Sequence, residues 1–247
     1  MIPASSKMRL DKILFEKKLV KDRRAAFVVV TEGRVLVNGQ KAISPAQLIQ
    51  RDAVIDVRGD TKYVGRGAYK LEAALDEFKI DPAGKACADL GAATGGFTEV
   101  LLNRGAARVY AIDTARGKLA LKLREDPRVA VMEGMDARDI DGLSELIDIA
   151  AIDVSLVSLR DMLPAARRLL RSDGMVIALF KPQYETRDPK ILRHGVIRDG
   201  ADREALVKEF RDWAVAHGWN IKGQIESPIR GSGGNIEYLL ALRPPMY

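Results

Sequence analysis

The sequence predicts an α/β protein, with a mainly parallel Rossmann-like sheet that carries an antiparallel C-terminal strand and a small α+β module in front. From residue 84 onward, apolar runs typical of buried strands alternate with segments of helical periodicity, which is the pattern of a parallel sheet covered by helices. A glycine-rich segment over residues 89–98 follows the first of these strands. The basic excess of the chain lies entirely before residue 67. Together these features indicate two domains of different character.

The alternating pattern assigns the elements of the larger domain. Strands are predicted at residues 86–90, 108–112, 129–132, 148–152, 175–180, 220–226 and 236–242. Helices are predicted from Ala68 and at residues 96–104, 116–124, 156–171 and 201–217. No helical segment separates the last two strands, so we expect them to pair antiparallel.

The N-terminal module reads as two helices and a small sheet. Residues 7–24 have apolar side chains at helical spacing, and a second short helix is predicted from about Asp22. Valines then alternate up to Asn38-Gly39, a strong hairpin signal, and residues 53–57 form another short strand. We therefore predict domains at residues 1–60 and 68–247, joined by a linker over residues 61–67.

Composition narrows the functional classes. The 247 residues are 47% apolar, enough to bury a substantial core. Apolar runs fall far short of the ~20 residues of a membrane-spanning helix, and residues 1–12 do not resemble a secretory signal. A single cysteine, Cys87, and two histidines exclude an intramolecular disulfide and argue against a metal site. We expect a cytoplasmic protein with no metal and no membrane partner.

The charge distribution points to a polyanion. Residues 1–66 contain 14 Lys+Arg and 7 Asp+Glu, a net charge of +7, whereas the other 181 residues contain 26 and 27 and carry −1. A small basic module beside a nearly neutral domain is typical of an attachment that binds nucleic acid. A solvated basic surface without a partner is the alternative.

The glycine-rich segment predicts a nucleotide-type cofactor. Its glycines allow sharp turns and close approach of a ligand to the backbone. Asp113 ends the next strand 22 residues after Gly91, where an acidic residue accepts hydrogen bonds from ribose hydroxyls. Asp89 before the loop would repel a pyrophosphate but suits the ammonium group of S-adenosylmethionine. S-adenosylmethionine is thus favoured over a dinucleotide or a purely structural turn.

The residues expected to bind the cofactor follow the loop and the next two strands. Asp136, after the third strand, is a candidate adenine contact or a capping residue. The full predicted set is Asp89, Gly91, Ala92, Thr94, Gly95, Gly96, Phe97, Asp113 and Asp136.

The available side chains also limit the methyl acceptor. The motif Asn/Asp-Pro-Pro-aromatic, common in base N-methylation, is absent after the fourth strand, and Cys87 lies mid-strand where it is expected to pack rather than attack. A ribose hydroxyl needs a strong base, a role that a neutral lysine can fill. Lys181 and Asp153 follow apolar strands, so both should reach the carboxyl edge of the sheet, where ligands of such sheets bind.

The module resembles an S4 domain through Arg9-Leu10-Asp11, the run Gly33 to Gly39, and Asp52-Ala53-Val54-Ile55. This resemblance implies binding to structured RNA, mainly through phosphates and shape. The implied RNA-binding residues are Arg9, Lys12, Lys21, Arg23, Arg24, Arg34, Asn38, Lys41 and Arg66.

Across its length the chain resembles the TlyA (hemolysin A) family, with an S4 domain and an FtsJ/RrmJ-like methyltransferase domain. Lys70, Asp153, Lys181 and Glu237 match that fold's Lys-Asp-Lys-Glu tetrad, and Gly195 begins a further matching element. The resemblance implies S-adenosylmethionine-dependent 2′-O-methylation of cytidine in the ribosomal RNA of ribosomal subunits. It also implies that Lys181 is the general base and that the other three residues orient it and the ribose. An RNA-binding protein with an inactive methyltransferase fold, or a membrane-active hemolysin, are the alternatives.

Overall fold

The computed structural model describes residues 7–31, 33–57, 62–186 and 188–245, apart from the side chains of Arg193 and Ser232. The chain forms two compact units, Met1–Arg66 and Gly67–Tyr247. Residues 58–61, which include the start of the predicted linker, lie outside the described residues. The domain limits drawn from the sequence stay a prediction.

The smaller unit contains two short helices and two small sheets. Its elements are β1 (Lys7–Arg9), α1 (Leu10–Glu16), α2 (Arg23–Thr31), β2 (Val35–Val37), β3 (Gln40–Lys41), β4 (Leu48–Gln50) and β5 (Ile55–Val57). Strands β1 and β4 pair antiparallel, and β2 pairs antiparallel with both β3 and β5. Leu10 and Leu14 of α1, Ala26 and Val30 of α2, and Val35 of β2 form its buried core.

The predicted hairpin is confirmed. Asn38 and Gly39 both have positive φ, 50° and 78°, as the tight turn between β2 and β3 requires. The Asn38 side chain also accepts a hydrogen bond from the Val54 backbone N–H at 2.9 Å. This residue, a predicted RNA contact, therefore holds the turn against the segment that precedes β5.

The predicted helix over residues 7–24 is wrong at both ends. Residues 7–9 are a strand because they pair with β4, a long-range partner that helical periodicity does not reveal. The helix ends at Glu16, and Lys18 takes the left-handed conformation with φ 56°. A short turn therefore separates α1 from α2, whose start at Arg23 agrees with the prediction.

The larger unit is built on one seven-stranded sheet. Its helices are α3 (Ala68–Phe78), α4 (Gly96–Asn103), α5 (Leu121–Arg124), α6 (Leu159–Leu169), α7 (Pro182–Glu185) and α8 (Gly200–Ala216), with 3-10 turns at Ala137–Asp139 and Ser232–Gly234. Its strands are β6 (Ala86–Leu90), β7 (Arg108–Asp113), β8 (Val129–Glu133), β9 (Ile147–Ile152), β10 (Leu170–Phe180), β11 (Leu192–Arg193), β12 (Val196–Ile197), β13 (Asn220–Glu226) and β14 (Tyr238–Arg243). The hairpin β11–β12 lies apart from the main sheet.

The strand order of the main sheet is β13-β14-β10-β9-β6-β7-β8. Strands β8, β7, β6, β9 and β10 run parallel, whereas β14 pairs antiparallel with both β10 and β13. The predicted antiparallel pairing of the last two strands is confirmed. The sequence pattern does not predict that β14 lies between β10 and β13; the structure shows this position.

Two predicted helices are shorter in the structure. The helix expected at residues 116–124 covers only Leu121–Arg124, because Gly117 has φ +70° and the N–H groups of residues 117–119 bond to the Glu133 carboxylate. The helix expected at residues 156–171 begins at Leu159, where Ser158 caps it. Strand β10 then follows immediately at Leu170.

Helix α3, which carries Lys70, packs against α4, β13 and β14. Helices α6 and α8 join the sheet in the main buried core, where the rings of Phe180 and Phe210 lie 4.9 Å apart. Among the described residues, no helix is long and apolar enough to cross a membrane.

Gly223 in β13 is expected to be essential for the packing of α3 against the sheet. A Cβ there would lie 2.6 Å from the Phe78 ring at the end of that helix. We expect Gly223→Ala to lower the free energy of unfolding by about 1–3 kcal/mol because the rigid ring must move. Urea unfolding measures the change. Gly142→Ala is the control, since a Cβ there meets nothing within 4 Å; an equal loss in both variants would contradict the steric explanation.

Candidate active site

The glycine-rich loop packs against the backbone at the end of β9. Gly91 has φ +97°, and a Cβ on it would lie 2.3 Å from the backbone oxygen of Asp153. Gly95 has φ +93°, and a Cβ there would lie 2.3 Å from Leu123. Both glycines are therefore required by conformation and by close packing. The loop leads into α4, which starts at Gly96.

Asp113, at the end of β7, holds this loop in place. Its carboxylate accepts hydrogen bonds from the Ala93 N–H at 2.8 Å and from the Ala115 N–H at 2.7 Å. The backbone oxygen of the neighbouring Ile112 accepts from the N–H groups of Gly91 and Ala92. The acidic residue predicted for a ribose contact thus also connects the glycine loop to the loop after β7.

A cavity of about 260 Å³ opens at the carboxyl ends of β6, β7 and β9. Its lining combines apolar side chains with three carboxylates and one lysine: Gly91, Ala93, Ile112, Asp113, Thr114, Lys118, Met135, Asp136, Ala137, Asp153, Val154, Ser155, Val157 and Met162. An acidic lining repels a pyrophosphate and suits a cationic ligand with an apolar nucleoside. The cavity therefore fits S-adenosylmethionine better than a dinucleotide.

Asp89 is fully buried at the end of β6. Its Oδ2 accepts hydrogen bonds from the Thr98 N–H at 2.8 Å and from the Thr98 hydroxyl at 2.6 Å, whereas its Oδ1 has no hydrogen-bond partner among the described residues. Burial raises the pKa of this carboxyl to about 7. A buried carboxylate with one free oxygen is suited to a cationic partner.

The other predicted cofactor residues divide into two groups. Gly91, Asp113 and Asp136 line the cavity. The remainder belong to β6, to the loop itself and to the start of α4, and most of them are buried: Asp89, Ala92, Thr94, Gly95, Gly96 and Phe97. Asp136 caps the 3-10 turn and forms a 2.6 Å ion pair with Arg138, and the hydrogen bond from Arg138 holds its pKa below the usual value.

Lys181 and Asp153 meet at the ends of the adjacent strands β10 and β9. The Lys181 Nζ lies 2.6 Å from Asp153 Oδ1 and donates to the Ser155 hydroxyl oxygen at 3.2 Å. Lys181 is 9% exposed, and a lysine buried to this degree is tolerated when a carboxylate partner and hydrogen bonds compensate for lost hydration. The sequence singled out the lysine and the aspartate but missed Ser155.

Lys70 and Glu237 form a second, more deeply buried ion pair. Lys70 Nζ lies 2.5 Å from Glu237 Oε2, and both side chains are buried. The carboxylate packs directly on Gly231, where a Cβ would lie 1.9 Å from Glu237 Oε1. A glycine at position 231 therefore leaves the space that Glu237 occupies.

The register of the sheet brings the two pairs to the same edge. Phe180, the last residue of β10, pairs with Tyr238, the first residue of β14, so Lys181 just after β10 and Glu237 just before β14 lie at the same end of this strand pair. Asp153 also lies close to the start of α3, because a Cβ on Gly67 would lie 3.5 Å from Asp153 Oδ2. Gly67 immediately precedes α3, the helix that carries Lys70. The four scattered residues thus converge beside the cavity.

The predicted RNA-binding residues of the smaller unit lie mostly at its surface. Arg9, Lys12, Lys21, Arg23, Arg24, Asn38 and Lys41 are exposed, whereas Arg34 and Arg66 are half-buried. Arg9 and Arg23 both approach Asp11, at 2.8 and 3.6 Å. Whether these side chains bind RNA stays a prediction.

The strand order, the glycine loop and the acidic cavity define a class I methyltransferase fold. The FtsJ-like methyltransferase family matches residues 63–244, and the S4 domain matches residues 8–55. This protein belongs to the FtsJ-like methyltransferase family, within its TlyA group. It is an enzyme that takes its methyl group from S-adenosylmethionine.

Its relatives span nearly the whole chain. The 16S/23S rRNA (cytidine-2′-O)-methyltransferase TlyA of Mycobacterium tuberculosis is 38% identical over 95% of this chain and 89% of its own length. Hemolysin A of Brachyspira hyodysenteriae is 37% identical over 94% and 98%. A solved structure from Streptococcus thermophilus covers 98% of this chain and 92% of its own, with a TM-score of 0.75 and 36% identity.

The hydrogen bond from the Thr98 hydroxyl to Asp89 contributes to stability, and we expect its contribution to the free energy of unfolding to depend on pH. Thr98→Val removes a hydrogen bond of a buried carboxyl and should cost about 1–3 kcal/mol of unfolding free energy. Because the hydroxyl favours the ionised carboxylate, whose pKa is raised to about 7, the loss should be larger at pH above 7 than below 6. Denaturant unfolding at several pH values measures it.

The control for this effect is the same substitution in an Asp89→Asn background, where no carboxylate titrates. There the cost of Thr98→Val should not vary over this pH range. A pH-dependent cost that persists in that background would assign the titration to another group.

Proposed function

We propose that this enzyme transfers a methyl group from S-adenosylmethionine to the ribose 2′-hydroxyl of a cytidine in ribosomal RNA. The observation that carries the proposal is the convergence of two buried lysine–carboxylate pairs beside the acidic cavity. The names of the relatives point the same way, because the Mycobacterium tuberculosis TlyA is named as a cytidine-2′-O-methyltransferase.

The cofactor supplies a methyl group activated by its bond to a sulfonium. The protein must then hold the hydroxyl in line and remove its proton, since a ribose hydroxyl is a weak nucleophile. Lys181 is the proposed general base, as its amine lies at the strand end between Asp153 and Ser155. The ammonium that pairs with Asp153 must first release one proton to solvent; the neutral amine then takes the 2′-hydroxyl proton and becomes an ammonium that Asp153 stabilises again.

Lys70 and Glu237 have the proposed role of orienting the ribose and Lys181. Glu237 precedes β14 at the end of the β10–β14 pairing where Lys181 follows β10, and its carboxylate pairs with Lys70 at 2.5 Å. A buried carboxylate held by a lysine keeps a fixed position and offers a hydrogen-bond acceptor for a sugar hydroxyl. These roles rest on the family resemblance together with this geometry.

The cofactor contacts are part of the same proposal. Asp89, whose Oδ1 is without a hydrogen-bond partner in the described part of the chain, is the proposed partner of the ammonium group, and Asp113 is the proposed ribose contact. Asp136 has the weakest case, because its carboxylate is already engaged by Arg138. Its contribution to the adenine subsite is then through the backbone of the turn that it caps.

Removing Lys181 tests the proposed chemistry. With tritiated S-adenosylmethionine and 30S subunits, 50S subunits or 70S ribosomes, Lys181→Ala should lower methyl transfer by at least about 100-fold because the proton acceptor is lost. Its affinity for S-adenosylmethionine, measured by calorimetry, should stay within about twofold. The matched control is Lys208→Ala, an exposed lysine whose ammonium pairs with Asp212 at 2.6 Å.

The position of the label decides between the alternatives. A 2′-O-methyl group protects the adjacent phosphodiester from alkaline cleavage, so an alkali-resistant dinucleotide identifies the ribose and its base. Label on a base would overturn ribose specificity. Cofactor binding without label on any RNA would favour the inactive RNA-binding protein, and lysis of vesicles by the same preparation would favour the membrane-active alternative.

The proposed RNA contact of the smaller unit predicts the salt dependence of binding. Replacing both Lys12 and Lys21 by Gln should reduce the slope of log affinity against log salt by about 1.4–1.8, since each phosphate contact contributes about 0.7–0.9. Filter binding of ribosomal RNA at several salt concentrations measures the slope. Lys208 and Lys222, both exposed, provide the matched double control in the larger unit.

The control is matched in local environment as well as in charge. Lys12 lies i,i+4 from Glu16 and Lys208 lies i,i+4 from Asp212, so each double variant breaks one surface pair. A slope that changes only in the Lys208/Lys222 variant would move the phosphate contacts to the methyltransferase unit.

A further inference from the structure

Among the described residues, Lys181 has two hydrogen-bond acceptors within reach, and one of them lies outside the tetrad. Asp153 Oδ1 lies 2.6 Å from Nζ, and the Ser155 hydroxyl oxygen lies 3.2 Å from it. The Tyr184 ring covers a further side, with its centroid 5.8 Å from Nζ. Ser155 also lines the cofactor cavity, so it contacts the amine and borders the cavity at once.

The two acceptors around Lys181 match the two N–H bonds of a neutral lysine amine. A neutral lysine carries two N–H bonds and one lone pair, and it accepts a proton only through that lone pair. When Asp153 and Ser155 accept the two N–H bonds, the lone pair has one remaining direction. We propose that Ser155 is a positioning residue that, together with Asp153, aims the lone pair of Lys181 at the substrate hydroxyl.

The proton transfer balances within these groups. The hydroxyl O–H bond breaks and a third N–H bond forms on Lys181, while the oxygen's electron pair forms the bond to the methyl carbon and the C–S electron pair stays on sulfur. The resulting ammonium has three N–H bonds. Asp153 and Ser155 still accept two of them, so neither neighbour has to move during the step.

A second set of contacts fixes the loop that carries Ser155. Glu185, four residues after Lys181, accepts hydrogen bonds from the Ser158 hydroxyl at 2.6 Å and from the Leu159 N–H at 2.7 Å. Residues 153–159 are therefore tied to residues 181–185 at both ends, by Lys181 at one and by Glu185 at the other. This double tie restricts the movement of the loop that carries Ser155 relative to Lys181.

The inference rests on the proposed function, because it assumes that Lys181 is the base. Ser155 is exposed, so its loss should not destabilise the fold. We expect Ser155→Ala to lower kcat for methyl transfer to ribosomal subunits by about tenfold to hundredfold, since a small misalignment of a catalytic group has effects of this size. KM for RNA, calorimetric affinity for S-adenosylmethionine and the urea midpoint should stay unchanged.

Two further variants separate positioning from a merely structural role. Ser155→Thr keeps the hydroxyl and should restore most of kcat, whereas Ser172→Ala, an exposed serine in β10, should have no effect. In single-turnover assays, Ser155→Ala should cause no additional loss in the Lys181→Ala background, because a residue that acts through Lys181 has nothing left to position.

The outcomes distinguish this inference from the proposed function. Full activity of Ser155→Ala beside an inactive Lys181→Ala would overturn the role of Ser155 and leave the base assignment standing. A raised KM or weaker cofactor binding with unchanged kcat would make Ser155 a ligand contact instead. If Lys181→Ala itself stays active, the proposed function fails first, and the inference fails with it.

Discussion

The pairing of β14 between β10 and β13 is the constraint on which the active site depends. It places the last strand of the chain antiparallel to β10, so that Glu237 enters the sheet at the point where Lys181 leaves it. Without this insertion the carboxyl edge would expose one lysine and one aspartate. With it, residues separated by 167 positions, Lys70 and Glu237, become a buried ion pair.

Burial then determines which charges the site tolerates. A lysine or glutamate removed from water is costly unless an opposite charge and good hydrogen bonds compensate. Both lysines satisfy this condition through separate carboxylates, and Gly231 leaves the space for one of them. The site is thus a set of matched charges, and loss of one partner leaves the other buried and unpaired.

On the cofactor side of the site, the charges are not matched. Carboxylates there are in excess: Asp113, Asp136 and Asp153 line the cavity, and Asp89 lies buried in β6 with a pKa of about 7 and an Oδ1 that no described residue contacts by a hydrogen bond. This surplus of negative potential suits a ligand with sulfonium and ammonium groups. Asp113 also organises the loop backbone through the N–H groups of Ala93 and Ala115, so part of the recognition chemistry is already present in the loop's own hydrogen bonds.

Local pattern was sufficient for most of the elements, because strand and helix periodicity, the Asn38-Gly39 turn and the glycine loop are encoded in neighbouring residues. It also indicated Asp153 and Lys181 as strand-end side chains, while Lys70 and Glu237 came from family resemblance alone. Only the tertiary structure decided that β1 is a strand and that Ser155 contacts Lys181. It also decided that the helix expected from residue 116 starts later, because the Glu133 carboxylate accepts hydrogen bonds from the backbone there. These outcomes depend on partners distant in sequence, and a contact between distant residues leaves no periodic signal in either segment.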